Sequence, residues 1–401
     1  LTALFLTALL AGLGLRLWLS VRQERHVLAH RDEVPPPFRG AIPLEAHRKA
    51  ADYTLARTRF GRVAAAWDAL LLLAFTLGGG LDLLARWIPG HGLLAGACYV
   101  VAAFVAWGLL SLPLGIYGTF AIEERFGFNR TTPRLFAVDA LKGLLVGVAL
   151  GLPVAAGALS LVRRELWALI PVGWLAFSLF ATWLYPVLIA PLFNRFRPLD
   201  DEALSARVRA LLEREGFRSG GVFVVDGSRR STHANAYFTG LGRRKRVVFF
   251  DTLLELLAPE EVEAVLAHEL GHYRLRHLEL RIAVGFAFAA AAAFLLAWLL
   301  RQEWFFAGLG VSTPSPQAGL VLFLLVAPAF TFPLRPLLTG LSRRHEYQAD
   351  AFAAARSAKG AMAAALVKLS ERNAATLTPD PLHSAFHDTH PPVPLRIARL
   401  G

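Results

Sequence analysis

Seven stretches of this 401-residue chain are long and apolar enough to cross a bilayer, which takes about 20 helical residues. They run Leu1–Leu19, Val63–Ala85, Leu93–Thr119, Leu141–Val162, Leu166–Ala190, Ala283–Leu300 and Ala318–Leu338. Lipid offers no hydrogen bonds, so segments of this length must satisfy their own backbones as helices. The composition agrees: 55% of residues are apolar and 18% charged, against roughly 25% charged in an average globular chain. Intrinsic disorder is excluded by that apolar content. A disulfide scaffold is excluded because Cys98 is the single cysteine. The expected fold class is mainly α: a multi-pass membrane protein with seven transmembrane helices. The chain opens on Leu1, and the first stretch, with no basic leader or small-residue cleavage site, reads as a span.

The net charge of +12 is carried almost wholly by arginine. No zinc-finger or RNA-binding signature accompanies it, so nucleic acid is not an expected partner. Its placement fits membrane orientation instead. Arg22, Arg25, Arg31, Arg39, Arg48, Lys49, Arg57, Arg59 and Arg62 lie between the first two stretches, and Arg125, Arg130 and Arg134 between the third and fourth. The alternate loops carry only Arg86 and Arg301, with Arg163–Arg164 the exception. The positive-inside rule then puts the N-terminus outside and the C-terminus in the cytoplasm, with both long polar segments on the cytoplasmic side. The arginine- and alanine-rich composition points to a bacterial inner membrane.

Four regions follow: spans one to five with their loops (1–190), a polar segment (191–282), spans six and seven (283–338), and a C-terminal segment (339–401). Pro171, Pro186, Pro191, Pro328, Pro333 and Pro336 interrupt or follow the fifth and seventh spans, and Asp68 and Asp82 fall within the second. Each aspartate alone reads as an interfacial or helix-capping group; together with the prolines they suggest a wet interior. In the polar segment, Asp200–Glu215 has a helical apolar face of Leu204, Val208, Leu211 and Leu212. Val222–Val225 and Arg246–Phe250, flanking Gly227, Gly240 and Gly242, read as paired strands in a small β-hairpin element. Pro259-Glu-Glu261 opens a new helix, with proline in the first turn and acids at the positive end of the dipole.

That helix carries His268-Glu269-Leu-Gly-His272. Residues four apart share a helix face, so both imidazoles can reach one cation while Glu269 sits beside them as a base for water. A third protein ligand is needed, and Glu346 and Asp350, again four apart, supply it. One carboxylate can bind the metal while the other holds a ligand histidine by its second ring nitrogen. His277 is a lesser candidate, since five residues beyond His272 it should point elsewhere on a continuous helix. Tyr273 reads equally as a transition-state donor or a packed aromatic, and Tyr347 and Gln348 as helix packing. His383, His387 and His390 have the look of a second metal cluster when taken alone.

The order of motifs resembles the type I CAAX prenyl endopeptidases, integral-membrane zinc metalloproteases. Those motifs are Ile122–Asn129, Pro191–Phe196, Asp226–Ser228 with His233–Phe238, Phe250–Leu253, the H-E-x-x-H sequence, Glu346–Asp350, and His390-Pro391 with Arg396. The resemblance covers nearly the whole chain. It implies that His268, His272 and Glu346 bind one Zn2+, with Asp350 behind them, and that Glu269 is the general base. It implies that Asn235 holds the substrate backbone and that His390 and Arg396 face the substrate or the developing oxyanion. It further implies a ring of seven long helices around a water-filled chamber, capped by the zinc domain. The expected partners are the bilayer and a peptide or protein substrate, prenylated or membrane-associated. A broader membrane quality-control protease is one alternative, and a seven-helix transporter or lipid-binding scaffold with structural zinc is another; an intact Glu269 argues against the latter.

Overall fold

The computed structural model describes residues 1–90, 92–217, 220–239 and 246–400. Six helices among them are long and apolar enough to cross a membrane: Thr2–Ala29, Leu93–Glu123, Pro133–Arg163, Trp167–Phe193, His277–Leu299 and Pro316–Ala354. A seventh span is a bent pair, Leu44–Phe75 and Gly80–Trp87, meeting at 57°. Val63–Ala85 is therefore not one straight helix. The break falls at a glycine run whose Gly79 sits at φ +75, in the left-handed region that favours glycine. Asp82 follows the break, where its carboxylate accepts the Ser312 N–H at 3.1 Å from either oxygen. It acts as an anchor between the start of one helix and the loop before another, rather than as a cap of its own helix. Asp68 instead lines two cavities, together with Arg16.

Several spans outrun their apolar stretches. The last continues from the membrane segment, through a 3-10 turn at Phe332–Leu334, to Glu346, Asp350 and Ala354, so both carboxylates ride on the helical extension of the seventh span.

The polar segment holds a four-stranded mixed sheet in the order β1 (Phe196–Pro198), β2 (Val222–Val225), β4 (Arg246–Phe250), β3 (Ala236–Thr239). The two runs expected to pair do so, but β2 and β4 are parallel. The expected hairpin needs correcting accordingly: the antiparallel partner of β4 is β3, with Ala236 opposite Phe249. The turn glycines Gly240 and Gly242 lie outside the described residues. Helix Glu202–Arg214 buries Leu204, Val208, Leu211 and Leu212 in the same core as Val247, Phe249 and the helix Pro259–Arg274.

A few polar ties hold this segment to the membrane helices. The Arg230 guanidinium donates to both Asp139 oxygens at 2.8 and 3.0 Å, to Asn194 Oδ1, and to the Phe193 carbonyl at 2.6 Å. One side chain thus joins two spans to the sheet. Thr232 N–H donates to the Phe128 carbonyl, and Arg130 N–H donates to the Arg230 carbonyl at 3.0 Å. The C-terminal segment is tied to the first helix by Arg22 on Asp380 at 2.9 Å and by Asp380 N–H on Gln23 Oε1.

Candidate metal centre

Helix Pro259–Arg274 begins as its sequence dictates. Proline occupies the first turn, and Glu261 reaches back to accept the Ala258 N–H at 2.8 Å. Its inner face is buried from Glu261 to Gly271, packed on the sheet on one side and on helix Pro316–Ala354 on the other. Gly271 makes that second approach possible, because a Cβ there would sit 3.0 Å from the Ala349 Cα. The close crossing brings Glu346 and Asp350 up to the two histidines.

His268 Nε2 and His272 Nε2 are 3.2 Å apart. Glu346 Oε2 lies 3.4 Å from the first and Glu346 Oε1 lies 3.3 Å from the second. These three residues form the one cluster of histidines, cysteines and acids among the described residues whose ligand atoms converge tightly enough to hold a metal ion. His268 turns its other nitrogen, Nδ1, to Asp350 Oδ1 at 2.9 Å. Asp350 in turn accepts two hydrogen bonds from Arg396, at 2.8 and 2.6 Å, in a buried bidentate pair. Two of the three guanidinium nitrogens are thereby committed. Arg396 therefore holds Asp350, which faces His268, and it also lines the second cavity that His390 shares.

The electrostatics follow from this packing. Burial alone would lower His268, but the contacts with Asp350 and Glu346 outweigh it and lift the imidazole to about 9. Burial pushes the Glu269 carboxyl up, against the pull of His268 and His272. Burial opposes the Arg396 charge, yet the Asp350 hydrogen bonds raise that guanidinium overall.

Glu269, His272, Glu346 and His390 all line a cavity of about 1050 Å³. Three membrane helices contribute apolar side chains to its lining, including Leu179, Ile282, Phe288 and Leu338, alongside the polar Glu279 and Arg281. His390 keeps a side-chain exposure of 65% while its Nδ1 bonds Glu346 Oε2 at 2.6 Å. It also lines a second cavity of about 760 Å³, among Arg16, Arg57, Asp68 and Arg335, so the two spaces share this residue as a wall. His383 and His387 face the second cavity, stacked on each other, and do not join His390 in a metal cluster.

Asn235 is exposed at the head of β3, the edge strand, with its Oδ1 accepting the Ala236 N–H. It is not on the wall of the large cavity; Phe238 and Thr239, at the other end of the strand, are. Tyr273 lines the cavity too, edge-on to Phe217 at 5.1 Å.

His277 and Gln348 were the residues whose place the sequence concealed. His277 is buried with its Nδ1 3.0 Å from His272 Nδ1, and its Nε2 3.0 Å from Gln348 Oε1. The cause is local. Arg276 adopts φ +57, which breaks the helix and starts a new one at His277, pointing back toward the site. A left-handed arginine has no sequence signal; five-residue spacing on one continuous helix was the wrong geometry.

Comparison with known proteins agrees with the fold. A family model described as CAAX prenyl protease N-terminal, five membrane helices, matches residues 23–195, and the model of peptidase family M48 matches residues 198–401. The chain is 32% identical to the CAAX prenyl protease 1 homolog of Oryza sativa subsp. japonica, over 96% of this chain and 93% of that one. It is 30% identical to CAAX prenyl protease 1 of Saccharomyces cerevisiae, over 96% and 91%. The crystal structure of S. mikatae Ste24p superposes with a TM-score of 0.93 at 28% identity, covering 100% of this chain and 98% of the other. The chain therefore belongs to peptidase family M48, as an integral-membrane metalloendopeptidase of the CAAX prenyl protease type.

Proposed function

We propose that this chain is a zinc endopeptidase that cuts near the C-terminus of lipidated proteins, from the cytoplasmic face of a bacterial inner membrane, with its N-terminus outside. The observation that carries the reading is the triangle of ligand atoms. Zinc bonds of about 2.0–2.2 Å at tetrahedral angles place ligand atoms roughly 3.3–3.6 Å apart. His268 Nε2 and His272 Nε2 are 3.2 Å apart, Glu346 sets Oε2 3.4 Å from the first and Oε1 3.3 Å from the second, and one donor atom from each of the three residues falls within 4.8 Å of the other two. Two imidazoles and one carboxylate are a donor set suited to catalytic zinc, and their common opening is the large cavity.

When bound, zinc supplies a Lewis acid that polarises the scissile carbonyl and acidifies the attacking water. Glu269 takes the proton from that water on its carboxylate and returns it to the departing amine nitrogen as the peptide bond breaks. His390, its Nδ1 held by Glu346, turns its free edge to the cavity and stabilises negative charge on the substrate oxygen. The outer edge of β3 accepts the substrate backbone as an added strand, with the Asn235 amide donating at its head. Asp350 fixes His268 in the tautomer that leaves Nε2 free for metal.

Support for a lipidated substrate is the cavity itself. It is lined both by Glu269 and by apolar residues of membrane helices, among them Leu179, Ile282, Phe288 and Leu338, which suits an isoprenoid chain beside a scissile bond. The cytoplasmic placement rests on the alternation of arginine-rich and arginine-poor loops. The test is cleavage of one peptide, with and without a farnesyl group, by the purified protein and by Glu269→Gln. Cleavage of the farnesylated peptide alone, and by the unmutated protein alone, is the expected result. Equal cleavage of both peptides would remove the lipid from the reading and favour a quality-control protease; turnover by Glu269→Gln would remove the base.

A further inference from the structure

The two histidines of the metal site are held from behind by unlike partners. His268 Nδ1 faces the Asp350 carboxylate, itself backed by Arg396. His272 Nδ1 faces another imidazole, His277 Nδ1, at 3.0 Å. Two ring nitrogens at that distance share one proton, so one must donate and the other accept. The rest of the site decides which. His272 turns Nε2 toward His268 Nε2 and Glu346, so its lone pair belongs there and its proton sits on Nδ1. His277 then accepts at Nδ1 and carries its own proton on Nε2, which donates to Gln348 Oε1 at 3.0 Å. Every proton in the row is placed, and no member needs a charge. His277 has little freedom to leave it: the residue is 4% exposed, with the His345 ring stacked on its face at 4.0 Å and 6°.

We infer that His277 and Gln348 form an uncharged relay that locks His272 in its metal-binding tautomer. Both are positioning residues, and the assignment rests on the reading of His272 as a metal ligand. The relay differs in kind from the carboxylate behind His268. A second carboxylate would add negative charge beside the metal and reduce its pull on a substrate oxygen; the neutral pair orients the ring without that cost.

The test is zinc affinity of the full-length protein by chelator competition, with the absorption spectrum of the cobalt-substituted protein as a second readout of ligand geometry. His277→Ala should weaken zinc binding about 10–100-fold, the usual effect of losing an outer partner of a ligand histidine. His277→Asn, whose Oδ1 takes the place of the ring Nδ1, should restore most of it. Gln348→Leu should shift affinity and spectrum in the same direction as His277→Ala, and carries the test if that variant does not fold. Unchanged affinity in His277→Ala or Gln348→Leu would overturn the relay, as would His277→Asn binding zinc no better than His277→Ala. His272→Ala separates the two levels: if it retains stoichiometric zinc, the ligand assignment itself fails, whereas loss of zinc there with normal binding in Gln348→Leu defeats the relay alone.

Discussion

Helices Pro259–Arg274 and His277–Leu299 are separated by two residues, yet they gain their stability in opposite ways. The first buries a nearly continuous run from Val262 to Gly271 against protein on two sides. The second buries His277, Ala293 and Leu296 and leaves Phe288, Phe294 and Trp298 more than half exposed. In water that exposure would be untenable; in lipid an apolar side chain needs no protein partner. Helices stabilised by lipid can stand apart and enclose space, and the cavity of about 1050 Å³ lies along them. The helix bearing His268 and His272 has no such freedom, and a metal site needs none: ligands must be held to within a fraction of an ångström. Rigidity at the site and openness beside it come from the two different solvents.

Substitutions can break or sharpen this contrast. The largest effect belongs to Glu269→Gln, which should lower peptidase turnover about 10²–10⁴-fold, the usual range for general acid–base catalysis. Its zinc content should match that of the parent, read by metal analysis of the same preparation. Next is Arg396→Leu, which leaves the buried Asp350 without its bidentate partner. Losing one member of a buried pair costs about 3–5 kcal/mol, so a clear fall in thermal midpoint is expected, with weaker zinc binding through His268. Gly271→Ala tests the tight crossing directly. Its Cβ would press on the Ala349 backbone at 3.0 Å and on the Phe352 Cβ at 3.2 Å. Spreading the helices should cost about 1–3 kcal/mol and loosen the site. The same substitution at Gly143, exposed within Pro133–Arg163 and with nothing within 4 Å of the added carbon, should have the opposite sign. There the better helix former should stabilise by about 0.5–1 kcal/mol, read as a small rise in the unfolding midpoint. Equal destabilisation at both glycines would sink the distinction between a packed site helix and lipid-supported spans.

Much of this protein was written locally. Runs of apolar residues determined the spans, because crossing a bilayer is a matter of length and hydropathy along the chain. Four-residue spacing put His268 with His272 and Glu346 with Asp350, because a helix places such pairs on one face. Pro259 and its acidic neighbours marked where the site helix starts, since the first turn has its own chemistry. The 57° break near Gly79 falls inside Val63–Ala85, which hydropathy alone reads as one span. What the sequence could not decide was set by the close crossing at Gly271 and the left-handed Arg276. The crossing chose Glu346 to complete the triangle and sent Asp350 to His268 Nδ1, although either carboxylate could have taken either place. It also placed Asp350 where Arg396 can hold it from behind. The turn at Arg276 brought His277 behind His272, against the expectation for an unbroken helix. Periodicity reports which residues share a face; which faces meet, and at what distance, depends on packing between segments far apart in the chain.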